Sequence, residues 1–388
     1  MRHFGILVAV LLTALSCKEG TNTIAPESQV AITFGGKIDV ANLANYENQG
    51  KPAYIVQDNT NMNPITDEGA TLGRVLFYDV NLSVDNNISC AHCHKQEFAF
   101  GDTAVASSGV NGLTNRHSMR LVNSRFSQEQ RFFWDERAIN LEVQTLTPIQ
   151  DHKEMGFSGA NGDPSLDDLV TKLQGIGYYP ELFKLAYGDS KVTAEGIQKA
   201  LAQFVRSIQS FDSKYDVGRA MVPNDPAPLP NFTPQENQGK QLFLAPPVFD
   251  PNGVRIGGGV GCQGCHRAPE FSIDPNSHNN GITETIGSSA TDFNVTRSPT
   301  LRNLLKADGH LISSAMHTAA LTSIEAVLEH YNNIPNQPNN INLDPRLRPA
   351  GQPQKLQLTQ PEKDALIAFL KTLSGTAIYT DSKWSNPF

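Results

Sequence analysis

Apolar residues recur along this chain at helical spacing far more often than they alternate as a half-buried strand requires. Ile197, Leu201, Phe204, Val205 and Ile208 form one face of a helix expected from about residue 194 to 210. Leu166, Leu169, Val170 and Leu173 do the same for a shorter helix, capped by Ser165 with Asp168 as its partner. Ile139, Val143, Leu146 and Ile149 predict another, ended or kinked at Pro148. In the second half, residues 234–243 read as a helix. Thr322 with Glu325 caps one running to Tyr331, and Thr359 with Glu362 caps one bearing Leu366, Ile367, Phe369, Leu370 and Leu373. Residues 222–230 are proline-rich and read as a linker, and residues 274–294 as a polar loop. The expected fold is mostly α, with long ordered loops.

A length of 388 residues favours two units, each able to bury its own core. The net charge of -8 and the lack of a basic run argue against a nucleic-acid partner. At the start, Arg2 and His3 precede an apolar run from Phe4 to Leu12, then Ala14-Leu15-Ser16-Cys17. That run is too short to span a bilayer as a mature helix and reads as an export signal. Cys17 is the candidate lipidated residue, which predicts a periplasmic protein held by a lipid anchor at the outer membrane.

The other four cysteines fall into two pairs of identical spacing, Cys90-Ala91-His92-Cys93-His94 and Cys262-Gln263-Gly264-Cys265-His266. Each pair is the attachment signature of a c-type haem: two thiols add to the porphyrin, and the next histidine ligates iron. A thioredoxin-like redox pair and a four-cysteine zinc site are the rivals. Both leave the two identically placed histidines unexplained. The glycine-rich residues 257–261 before the second motif lack the Gly-Lys-Ser/Thr of a phosphate loop and read as backbone running close to the porphyrin.

Further landmarks are residues 72–77 (Leu-Gly-Arg-Val-Leu-Phe), 133–138 (Phe-Trp-Asp-Glu-Arg-Ala), 142–144 (Glu-Val-Gln), 154–156 (Glu-Met-Gly), 298–303 (Ser-Pro-Thr-Leu-Arg-Asn), Met316-His317 and 368–373 (Ala-Phe-Leu-Lys-Thr-Leu). With the two haem motifs, they make the chain, over residues 66–376, resemble the bacterial di-haem cytochrome c peroxidase and MauG superfamily. The resemblance implies two cytochrome c-like domains, each around one covalently bound haem c. They would span residues 61–221 and 234–376, joined by a linker at 222–233. A signal at 1–17 and an extension at 18–60 precede them, and a tail at 377–388 follows. Peroxide would react at the first haem, while the second relays electrons.

The resemblance also assigns residues. His94 and His266 become the proximal iron ligands and Glu154 the distal acid-base group. Gln144 becomes a distal hydrogen-bonding partner of peroxide, and Trp134 a relay between the haems. Where the peroxidase branch carries a second histidine on the first haem, this chain has Gly109, which predicts an open iron site. Where that branch carries a methionine on the second haem, the matching residue is Tyr331, as in MauG. Tyr331 shares a helix face with Ile324, Val327 and Leu328. His330 and Met316 are the alternative ligands. A calcium ion is also implied, through the carbonyls of Ile312 and Ser314. His117 stands where the family has an asparagine ligand, and imidazole suits hard calcium poorly.

The leading expectation is a MauG-like enzyme that hydrogen peroxide raises to a high-valent di-haem state. It would then oxidise an external donor, such as an aromatic residue of a partner protein. The segment Arg116-His117-Ser118-Met119 resembles the MauG relative found beside copper-chelator systems. A conventional peroxidase fed by small cytochromes or cupredoxins is the second reading, and a pure electron-transfer protein the third.

Overall fold

The computed structural model describes residue 1, residues 28–128 and residues 130–388. Cys17 lies outside the described residues. Eleven α-helices carry the architecture, and the only strands among the described residues form four two-stranded antiparallel pairs. In chain order the helices are α1 (Gln29–Phe34), α2 (Asp67–Tyr78), α3 (Cys90–Cys93), α4 (Leu141–Leu146), α5 (Leu166–Gln174) and α6 (Tyr178–Tyr187). They continue with α7 (Ala194–Ser207), α8 (Lys214–Arg219), α9 (Pro234–Leu244), α10 (Ile324–Asn332) and α11 (Gln360–Lys371). No helix among the described residues is long and apolar enough to cross a membrane.

Two helix pairs repeat one design. In the first half α2 packs on α7, and in the second α9 packs on α11. Each crossing is made at a glycine. A Cβ on Gly73 would lie 2.0 Å from the Ala200 carbonyl oxygen, and one on Gly239 would lie 1.9 Å from that of Ala365. Only hydrogen fits there. Gly73-Arg74-Val75-Leu76-Phe77 and Gly239-Lys240-Gln241-Leu242-Phe243 are thus the same element used twice, each leading into a Cys-x-x-Cys-His motif. Phe204 and Phe369 hold equivalent places on the facing helices, next to Phe77 and Phe243 respectively.

Two main apolar clusters follow from the pairs. The first gathers residues from α1 to α7, and the second gathers residues from Tyr215 to Leu373. The expected extension contributes directly to the first: Val30, Phe34, Ile38 and Tyr46 are buried in it. The proline-rich linker also packs inward, with Leu229 in the second cluster. From the chain's end, Ile378 and Trp384 return to the first cluster. There Arg74 Nε and Tyr78 Oη donate to the carbonyls of Ser385 and Trp384 at 2.6 and 2.7 Å. The tail therefore clamps the helix that leads to the first haem motif.

Local signals fare unevenly. The Ser165–Asp168 and Thr359–Glu362 boxes cap α5 and α11 as expected. The box expected at Thr322 is displaced by one residue: Ser323 accepts from the Ala326 amide instead. Of the face expected from Ile139, Val143, Leu146 and Ile149, Leu146 and Ile149 are buried but Ile139 and Val143 are exposed, and α4, which ends before Pro148, also buries Leu141 and Thr145. Between the halves, Arg302 is fully buried and pairs with Asp216 at 2.9 Å. Removing either partner would strand a charge in the interior.

Candidate di-haem site

Cys90 and Cys93 form the single turn α3, capped at Ser89, whose backbone amide donates to His92 Nδ1 at 3.0 Å. His92 is thereby spent on the turn. His94 follows and donates from Nδ1 to the Phe100 carbonyl at 3.0 Å. The second motif repeats this arrangement: Cys262–Gly264 form a 3-10 turn, and His266 Nδ1 donates to the Pro299 carbonyl at 3.1 Å. A carbonyl on Nδ1 fixes the ring and reserves Nε2 as the ligating nitrogen, the usual support for a metal-bound histidine.

The first motif borders a partly open cavity. Cys90, Cys93, His94, Gly109, Gln144 and Glu154 meet there with the apolar Phe77, Pro148, Met155, Leu201 and Val205. The second borders an open cleft with Cys262, Cys265, His266 and Tyr331, and His266 and Tyr331 also line a second cavity beside it. A paired thiol set, an anchored histidine and a largely apolar slot at each place fit a covalently attached haem.

The rival readings of the cysteines fail on this geometry. The pairs border different cavities, so they do not converge on one zinc ion. Burial also pushes all four thiols up, Cys90 and Cys262 to about 12 and Cys93 and Cys265 to about 11. A redox-active pair needs the opposite shift, towards thiolate.

On the distal side of the first cavity, burial pushes the Glu154 carboxyl up to about 7; Asp151 adds to this and Arg137 opposes it. Glu154 is carried in by a loop stitched to residues 109–111. The Val110 amide donates to the Glu154 carbonyl at 3.0 Å, and the Asn111 amide to that of Lys153 at 3.2 Å. Gly109 makes this contact possible: a Cβ there would sit 2.0 Å from the Lys153 oxygen and 2.6 Å from Glu154 Cα. Its missing side chain is therefore a packing requirement of this loop as well as the open position expected from the sequence. It seats the catalytic candidate. Among the described residues His94 is the only histidine bordering this cavity, and His117 borders the adjoining void.

Trp134 borders both the second cavity and a void of about 1310 Å³ that reaches Cys93, His94 and Glu154. Its Nε1 donates to the His117 carbonyl at 2.7 Å, and its own carbonyl accepts from the Thr296 and Arg297 amides. The indole is held by the first half of the chain and the Trp134 backbone by the second.

In the second site Tyr331 and Met316 border the same cavity, and His330 is turned to the Asn280 carbonyl at 2.9 Å. Asn280 holds both candidates: its Nδ2 donates to Tyr331 Oη at 3.1 Å and lies 3.2 Å from Met316 Sδ. Sequence reasoning misses Asn280, which looks like any asparagine in a polar loop. Burial pushes the Tyr331 phenol above its ordinary value, with the Asn280 amide opposing.

The expected calcium donors fit poorly. His117 turns its Nδ1 to the Ala104 carbonyl at 2.7 Å and so presents only a nitrogen lone pair at Nε2. Ser314 borders the same cavity as His117, but Ile312 does not. No cluster of three or more His, Cys, Asp or Glu side chains suited to a metal occurs among the described residues.

Comparison with known proteins agrees with this geometry. Residues 67–220 match the family model for di-haem cytochrome c peroxidase. The chain is 29% identical to the methylamine utilization protein MauG of Methylophilus methylotrophus, over 81% of this chain and 85% of that protein. It is 28% identical to the cytochrome c551 peroxidase of Nitrosomonas europaea, over 79% and 80% of the two chains. Among solved structures, a MauG-like protein associated with microbial copper homeostasis superposes with a TM-score of 0.65 at 27% identity, covering 88% of this chain and 99% of that one. Together these likenesses support the di-haem cytochrome c peroxidase and MauG superfamily, a group of oxidoreductases, as the one this chain resembles.

Proposed function

We propose that this protein reacts with hydrogen peroxide at its first haem, without needing a prior electron, and then oxidises an external donor. One observation carries the reading: Glu154 and Gln144 share with His94 a cavity that no other histidine of the described residues borders, while His117, which lines the adjoining void, is held through Nδ1 by the Ala104 carbonyl. The haems, when bound, supply the redox iron. The chain supplies the proton handling. Glu154, ionised, accepts a proton from the peroxide oxygen nearer the iron and returns it to the departing one, so that water leaves. Gln144 orients peroxide through its amide. Trp134 offers a route for oxidising equivalents towards the second site, where Tyr331 is the favoured ligand.

A hard oxygen donor there would favour the oxidised iron and suit storage of oxidising equivalents. The donor we favour is an aromatic side chain of a partner protein, a reading supported by the likeness to the MauG-like protein associated with copper homeostasis. Export and lipid anchoring at Cys17 belong to the same proposal. The second reading, a peroxidase fed by small cytochromes or cupredoxins, is favoured by Met316, which borders the second cavity beside Tyr331.

The two readings part in a titration of the oxidised protein with peroxide, in the absence and then the presence of a reduced small cytochrome. Our reading expects stoichiometric consumption of peroxide with no cytochrome present. Consumption that starts only once reduced cytochrome is added would make the second reading the better one.

A further inference from the structure

Arg120 is a half-buried cation, its Nε enclosed, with no carboxylate partner among the described residues. Its Nη2 donates to the Thr300 carbonyl at 2.9 Å, and its Nε has no partner at all. Burial pulls its guanidinium down to about 10, opposed by the Tyr379 phenol and by no carboxylate. Interiors do not hold an isolated charge without compensation. A guanidinium unpaired at a cavity wall is set to receive an anion that the site binds.

Position indicates what that is. Arg120 borders both the second cavity and the void that reaches the first site. Its stem packs on Gly101, where a Cβ would meet Arg120 Cγ at 2.9 Å. Gly101 follows Phe100, whose carbonyl anchors His94. The head of Arg120 rests on Thr300, which follows Pro299, whose carbonyl anchors His266. One residue thus spans the backbone segments that orient both proximal histidines. A second buried atom without a partner, His117 Nε2, borders the same two spaces.

We propose that Arg120 is the binding partner of a haem propionate in the space between the two sites. Haem carries two carboxylates on one edge, and a guanidinium is the side chain best shaped to take a carboxylate through two parallel hydrogen bonds. Paired in this way, Arg120 offsets the propionate's negative charge, so that the haem it holds is easier to reduce. The titratable groups that feel its charge are His117, His266 and Tyr379, and none is a carboxylate. The inference rests on haem occupancy alone and not on peroxide chemistry.

The test therefore uses no peroxide. Midpoint potentials of both haems are measured by spectroelectrochemistry across neutral pH, in the mature wild type, Arg120→Gln and Arg120→Lys. In Arg120→Gln at least one potential should fall and become pH-dependent, because an unpaired propionate takes up a proton on reduction. Arg120→Lys should stay close to wild type. Wild-type potentials and pH profile in Arg120→Gln would overturn the assignment. Should that variant fail to mature, infrared redox-difference spectra of wild type and Arg120→Lys, loaded with haem labelled at the propionate carboxyls, decide instead. Displaced carboxylate bands in the lysine variant support the pairing, and unmoved bands refute it.

Discussion

Glu154→Gln is expected to keep both haems and the fold while slowing the reaction of the oxidised protein with peroxide by roughly a hundredfold or more, the scale of a positioned acid-base group. The substitution is nearly isosteric, so the apolar lining from Met155, Leu201 and Val205 is undisturbed. Only the ability to accept and return a proton is lost. The pH profile gives an independent check. Burial raises the Glu154 carboxyl to about 7, so the ionised form that acts as base is depleted below that pH and dominant above it. The second-order rate in wild type should therefore rise about tenfold per pH unit up to the carboxyl's pKa and then level off, whereas Glu154→Gln should show no such rise. Stopped-flow mixing with peroxide measures both. Unchanged kinetics in the variant would remove Glu154 from the chemistry.

Gly109→Ala should produce a comparable loss by a different route. The Gly109 backbone does not lie in the left-handed region, so alanine meets no conformational objection. The obstacle is contact: the new methyl would stand 2.0 Å from the Lys153 carbonyl and 2.6 Å from Glu154 Cα, both backbone atoms. The loop must move, taking the carboxyl with it and breaking the Val110 and Asn111 amide bonds to that loop. Displacement of a catalytic group by an ångström costs on the order of a hundredfold. Overpacking should cost about 1–3 kcal/mol of stability. Thermal melting and the peroxide rate together test this. A melting point lowered by a few degrees with a collapsed rate is the expected result. A wild-type rate would show that the Glu154 loop does not depend on the bare glycine.

How far the molecule could be read from its sequence depends on how local each signal is. The haem motifs and the Ser165 and Thr359 capping boxes are written within a few residues and could be read directly. Ser323 takes the cap expected of Thr322 because two adjacent hydroxyls compete for the same helix start. The repeat that pairs Gly73 with Gly239 and Phe204 with Phe369 is also in the sequence, but it emerges only when the two halves are laid side by side. Other features have no local signal. Val30, Phe34 and Tyr46 are too sparse in a polar stretch to announce that it packs on the first core. Asn280 acquires its role from Tyr331 and Met316, and Arg120 from Thr300, all distant in the chain. Ile139 and Val143 mislead because helical spacing alone does not say which face meets the core. Glu154 and Gly109 were each legible as site residues. That one seats the other required the fold.

The central claim is that the first haem of the oxidised protein is open to peroxide while the second is closed. Electron paramagnetic resonance of the fully oxidised protein, followed by a rapid spectrum after one equivalent of peroxide, tests it most directly. One high-spin and one low-spin signal, with immediate reaction, is the predicted result. Two low-spin signals, in a protein that ignores peroxide until it has first been given an electron, would contradict it.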